Sequence, residues 1–190
     1  MSSDTQQKMI DGACACFFKH GFRGSNMSLI SQYAGFSRVT LHKHFKNKEG
    51  VFRAMCSDYQ ASCNAECQLI LGQPAPCWQK IEQITAIWSK SAFDDVHDDQ
   101  VLRELIFEAS QVACDIFEEA HQDLEQLLLG VLDEALANDQ ISLQACQLSS
   151  AQLATIIVAS TSGIRTHYPR EQILQASHQL IELYRLATRV

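Results

Sequence analysis

The chain has 190 residues, 46% of them apolar and 19% charged, with 8 Gly and 3 Pro. This excludes disordered, collagen-like and low-complexity chains and supplies the core of one large domain, or of a small one joined to a larger. The mean hydropathy is −0.10, no stretch approaches the roughly 18 consecutive apolar residues of a membrane span, and the N-terminal residues lack the apolar run of a secretory signal. A cytoplasmic protein without a membrane partner is therefore expected, with its eight cysteines kept as thiols. The net charge of −7 is unevenly placed. Residues 1–53 hold eight basic and three acidic side chains, a balance of +5, which leaves −12 on the remainder. Such asymmetry points to a basic head that seeks phosphate on an acidic body that avoids it.

Apolar residues recur at helical spacing almost throughout, and no two-residue alternation marks a strand. Ile10, Ala13, Cys14 and Phe17 define a first helix that closes at Lys19, His20 and Gly21, a basic last turn followed by glycine. Ser25 or Asn26 caps a short second helix that stops at Ala34 and Gly35. Ser37 caps a third, Arg38 to Phe45, and Asn47 a fourth, Lys48 to about Leu71. Gly72 to Pro76 is a turn, after which Ile81, Ile84, Ala86, Ile87 and Trp88 mark a fifth helix and Phe93 to Asp99 an acidic break. Helical spacing returns at Val101 and runs to Leu136, with a bend near Ser110 or Cys114. Ser149 or Ser150 caps a helix to about Arg165, and Pro169 opens the last. The expected fold is all-α, with about nine helices.

Two short helices around a tight glycine turn, residues 25–45, have the pattern of a helix-turn-helix, whose second helix enters the major groove of duplex DNA. Leu29, Ile30 and Leu41 would brace this unit against the first helix. Ser37, Arg38, Thr40, His42, Lys43 and His44 would face the base edges, with Ser25 and Asn26 at the start of the second helix and Lys48 on a phosphate. Gly21-Phe22, Ser25-Asn26-Met27, Ile30, Ala34-Gly35, Ser37, Leu41, His44-Phe45 and Lys48-Glu49 resemble, in this order, the signature of the tetracycline-repressor (TetR) family. The resemblance covers about residues 8–55 and departs from the family at Phe36, usually a small aliphatic residue, and at His42, usually tyrosine. It implies operator contacts by Ser37, Arg38, Thr40, Lys43 and His44, a phosphate contact by Lys48, and core roles for Phe22 and Phe45. The implied organisation is a DNA-binding domain over 1–47 and a helical ligand-binding and dimerisation domain over 48–190.

A repressor of this kind needs two heads in successive major grooves, about 34–36 Å apart, so a homodimer on a palindromic operator is expected. Leu153, Ile156, Ile157, Ile164, Ile173, Leu180 and Tyr184, on two C-terminal helices that are apolar around more than one face, are the expected contact residues. The resemblance also implies a small-molecule effector pocket among helices four to eight, for which Trp78, Trp88, Phe107, Phe117 and His121 are candidates. Cys56, Cys63 and Cys67 share one face of the fourth helix, which keeps open a thiol-based redox-sensing regulator of the same fold. The alternative of a different class is an all-helical metal-dependent enzyme, since Glu118-x-x-His121 matches one element of a di-iron bundle and residues 94–99 are rich in Asp and His. Only one such element is present, and hydrolase and nucleotide-binding signatures are missing, so neither catalysis nor a cofactor is expected.

Overall fold

The computed structural model describes residues 3–190. Among the described residues the chain forms nine α-helices and no strand: α1 (Ser3–His20), α2 (Met27–Ala34), α3 (Arg38–Phe45), α4 (Lys48–Leu71), α5 (Cys77–Ser89), α6 (Asp99–Val112), α7 (Cys114–Ala137), α8 (Ser150–His167) and α9 (Ile173–Ala187). A single turn of tighter 3-10 helix, Arg170–Gln172, follows Pro169 and leads into α9. The acidic break contains Asp98, whose side chain caps α6 through the Gln100 and Val101 amides. The bend expected near Ser110 or Cys114 is a true break at Ala113, between α6 and α7.

Two compact units result. The first holds the chain up to Ser62 together with Ser91–Glu118, the second Cys63–Lys90 together with Glu119–Val190. The first unit reaches past the head expected to end at residue 47, because its aromatic core draws in later segments. Phe17 and Phe22 each meet Phe52 edge-on at 5.2 and 5.1 Å, and Phe93 stacks on Phe52 at 6.1 Å. Ile30, Leu41, Phe45, Leu105 and Ala109 close the same cluster from α2, α3 and α6. Helices α1 and α2 approach most tightly at Gly12, where an added Cβ would stand 2.3 Å from the Ala34 Cα. The second unit buries Ile81 and Ile84 of α5, Leu124, Leu128 and Leu132 of α7, Leu153 and Ile157 of α8, and Ile181 of α9. Two side-chain bonds tie α9 to its neighbours, Ser89 with Ser177 at 3.2 Å and Ser160 with Tyr184 at 2.9 Å.

Candidate nucleic-acid interface

The helix-turn-helix is built from local bonds that its own residues supply. Asn26 Oδ1 accepts from the Ser28 and Leu29 amides, both at 3.0 Å, and so caps α2. At the other end Gly35 adopts φ 71°, the left-handed conformation that glycine takes without a Cβ penalty, and the Phe36 amide returns to the Ser31 carbonyl at 3.2 Å. Two residues later Ser37 Oγ accepts from the Thr40 amide at 3.0 Å and starts α3. Lys46, at φ 62°, ends α3 in a γ-turn in which the Asn47 amide donates to the Phe45 carbonyl at 2.7 Å. Asn47 Oδ1 then caps α4 through the Gly50 amide at 2.8 Å. The position of α3 is thus set by five short caps and turns, each closed by a named hydrogen bond.

The α1–α2 turn is held from two sides. Glu104 of α6 accepts from the Arg23 amide at 2.6 Å, and Lys48 of α4 donates to the Phe22 carbonyl at 2.8 Å with its ammonium 4.1 Å from the centre of the Phe22 ring. Lys48 also lines a cleft of about 410 Å³ with Ser25, Asn26, Met27, Ser28 and Arg38. This cleft opens at the N-terminus of α2, where the helix dipole favours a phosphate. A further clamp closes the α6–α7 break, where Arg53 of α4 donates to the Val112 carbonyl at 2.6 Å and to both Asp115 oxygens at 2.7 and 2.6 Å. The guanidinium holds the Asp115 carboxyl down at about 2.

The expected DNA-facing residues separate into two groups. Ser37, Arg38, His42 and Lys43 are exposed, and the side chains of Arg38, His42 and Lys43 make no intramolecular hydrogen bond or ion pair among the described residues. Thr40 and His44 are half-buried, with the Thr40 hydroxyl 2.8 Å from Ser37 Oγ. Ser25 is buried and its hydroxyl donates to the Gly21 carbonyl at 2.6 Å, so the cap role falls to Asn26 alone. Helical geometry places Val39 on the outer face of α3 at 79% exposure.

Residues 9–55 match the model of the tetR family of bacterial regulatory proteins. This segment is similar to the N-terminal head of that family. Over 56 residues it is 30% identical to the HTH-type transcriptional repressor AcnR of Corynebacterium glutamicum, a match that spans 30% of each chain. Whole-chain likeness comes from solved structures and concerns the fold. A transcriptional regulator of Cytophaga hutchinsonii aligns with TM-score 0.78 at 15% identity, over 97% of this chain and 98% of the other. SmeT, the repressor of the Stenotrophomonas maltophilia multidrug efflux pump SmeDEF, aligns with TM-score 0.72 at 17% identity over 97% and 90%. SmeT is also known in complex with triclosan, with TM-score 0.68, 20% identity and coverage of 99% and 93%.

Outside this head, the expected effector residues do not share one compact unit. Phe107 is exposed on α6 and Phe117 packs against the aromatic core of the first unit. Trp78, Trp88 and His121 belong to the second. There the Trp88 and His121 rings lie 6.3 Å apart, and His121 Nε2 stands 3.4 Å from Ser162 Oγ. Burial, reinforced by Arg165, lowers the His121 pKa and favours the neutral ring. Cys56, Cys63 and Cys67 are all buried, and burial pushes the thiols of Cys56 and Cys67 up to about 12 and 11. Cys56 and Cys67 are thereby favoured as thiols rather than thiolates, and all three side chains sit among buried residues. Among the described residues no three His, Cys, Asp or Glu side chains gather as a metal site, and no helix is long and apolar enough to cross a membrane.

The residues expected at a dimer contact divide as well. Leu153 and Ile157 are consumed by the chain's own core, whereas Ile156 is exposed and Ile164, Ile173, Leu180 and Tyr184 are half-buried. The large exposed apolar residues of α9 are Leu174, Leu183 and Leu186, which sequence spacing alone did not separate from their buried neighbours.

Proposed function

We propose that the chain is a sequence-specific DNA-binding regulator, a dimeric repressor that a small-molecule effector releases from a palindromic operator. The observation that carries this reading is α3, which presents Arg38, His42 and Lys43 unpaired at the surface of a basic head while Leu41 and Phe45 anchor its opposite side. Arg38 and Lys43 suit the acceptor edge of guanine, and the α2 cleft with Lys48 suits a backbone phosphate. AcnR is itself described as a transcriptional repressor and SmeT as the repressor of an efflux pump, which supports the same direction of control here.

Dimerisation follows from the operator geometry and from α8 and α9, where Ile156, Leu183 and Leu186 present apolar surface to a second copy. The Trp88, His121 and Ser162 group is the effector environment we favour, a neutral imidazole and a hydroxyl beside an indole. SmeT in complex with triclosan supports a small-molecule ligand for this fold. Release requires only that effector bind the DNA-incompetent arrangement more tightly, and a coupling of about 1–3 kcal/mol changes operator affinity by about 5- to 150-fold.

The test is selection of duplexes from a random pool by purified, reduced protein, followed by affinity at two salt concentrations. A palindrome with half-sites about one helical turn apart is expected, with affinity that falls as salt rises. Absence of an enriched sequence, together with no binding at low salt after refolding to strip ligand, overturns the reading.

A further inference from the structure

Val39 stands on α3 where a core residue would be wasted. Among the described large apolar side chains, only Val190, at 84%, is more exposed than Val39. The helix buries Leu41 at 0% and Phe45 at 7%, so its inward face is already filled. Val39 instead shares the outer face with His42 and Lys43, three and four residues on, next to Arg38. A β-branched residue at a solvated position of an eight-residue helix also lowers helix propensity relative to Ala or Lys. The position is the second of α3, in the N-terminal turn that comes closest to base edges when a recognition helix enters the major groove.

Among base edges in that groove, thymine offers an apolar group, its 5-methyl. We propose that Val39 is a specificity-determining residue that packs its methyl groups against the 5-methyl of one dT in each half-site. This inference rests on the DNA-binding reading above. The flanking Arg38, His42 and Lys43 fix the helix in the groove through polar contacts, and Val39 selects dT over dC at one position by excluding water from the methyl. Its short side chain also places that dT against the first turn of α3, closer to the backbone than any base reached by Arg38 or Lys43.

The experiment uses the full chain and the half-site enriched from the random pool. Each dT of the half-site is replaced in turn by dU, which keeps base pairing and removes only the methyl. With wild-type protein one position is expected to lose about fourfold in affinity per half-site, the transfer worth of one methyl group. Val39→Ala should bind the dT and dU duplexes equally at that position and keep the same dependence on salt. Val39→Ala should also fold normally, since the side chain is exposed, and its melting temperature by circular dichroism checks this. The inference is overturned if no dU substitution affects wild-type affinity, or if Val39→Ala keeps the wild-type preference for dT over dU. Failure to enrich any half-site, with no binding at low salt, overturns the DNA-binding reading itself and is distinct from both outcomes.

Discussion

Individual side chains of this protein do work that their neighbours in sequence do not announce. Asp115 is held as carboxylate by Arg53, with its pKa depressed from 3.8 to about 2. A depressed carboxyl contributes stability that is present above the unfolded value and lost as pH falls through the folded one. The melting-temperature gap between wild type and Asp115→Asn should therefore be full at pH 5 and close on acidification from about pH 4 to 2; a gap independent of pH would show that the pair contributes nothing. His121 has the same sign for a different reason, because its neutral form is favoured by burial. Unfolding gains a proton there as pH drops below 6.5, so wild-type stability should decline on that side of neutrality, and His121→Phe should flatten the profile in thermal melts. Lys48 is the residue whose role sequence pattern understated. Its place at the start of α4 pointed to a phosphate, but its bond to the Phe22 carbonyl joins groups 26 residues apart, and such a contact has no local signature. Lys48→Ala should lower both the melting temperature and the salt slope of DNA binding, the latter by about one per half-site.

At the level of helices, the parts legible in the sequence are those with short-range causes. Caps at Asn26, Ser37 and Asn47 bond to amides two or three residues ahead; residue type and spacing locate Ser37 and Asn47, and leave Asn26 level with Ser25. Asn26→Ala should accordingly cost about 1 kcal/mol in urea unfolding, and Ser25→Ala should act through a lost buried hydrogen bond to Gly21 instead. What periodicity left ambiguous was which apolar side of a two-sided helix meets the chain's own core. Ile156 and Ile157 are adjacent and alike in type, yet one is exposed and the other fully buried, and only the packing of the second unit distinguishes them. Gly12 marks a tight approach of two helices: Gly12→Ala should push α2 away from α1 and with it shift α3. DNA affinity should fall more than tenfold while far-ultraviolet circular dichroism stays helical, a loss comparable to the roughly 1–3 kcal/mol of an overpacked core.

For the molecule as a whole, composition and charge distribution carried the argument further than the average charge did. A chain at −7 would not be chosen as a DNA binder, yet its first 53 residues carry +5 and fold into the head that matches a regulator family. Local pattern puts a DNA-binding domain at 1–47, whereas contacts group the chain to Ser62 with Ser91–Glu118. The aromatic core that recruits Phe93 from far along the chain could not be read from local pattern. The proposed dimer belongs to this scale, and Leu183→Glu on the exposed side of α9 should yield a monomer by sedimentation with its helical content intact. The same monomer should lose palindrome affinity while retaining weak, salt-sensitive binding to any duplex.

The distribution of thiols has a practical corollary. Cys16, Cys56, Cys63, Cys67 and Cys77 are buried, Cys14 and Cys146 half-buried, and Cys114 alone is exposed, at the first position of α7 beside Asp115. A maleimide dye at neutral pH will reach Cys114 first, so the native chain carries a fluorophore attachment point at the α6–α7 break without engineering. Emission from that dye, read across a compound library, would turn the Arg53 clamp into an optical screen for effectors.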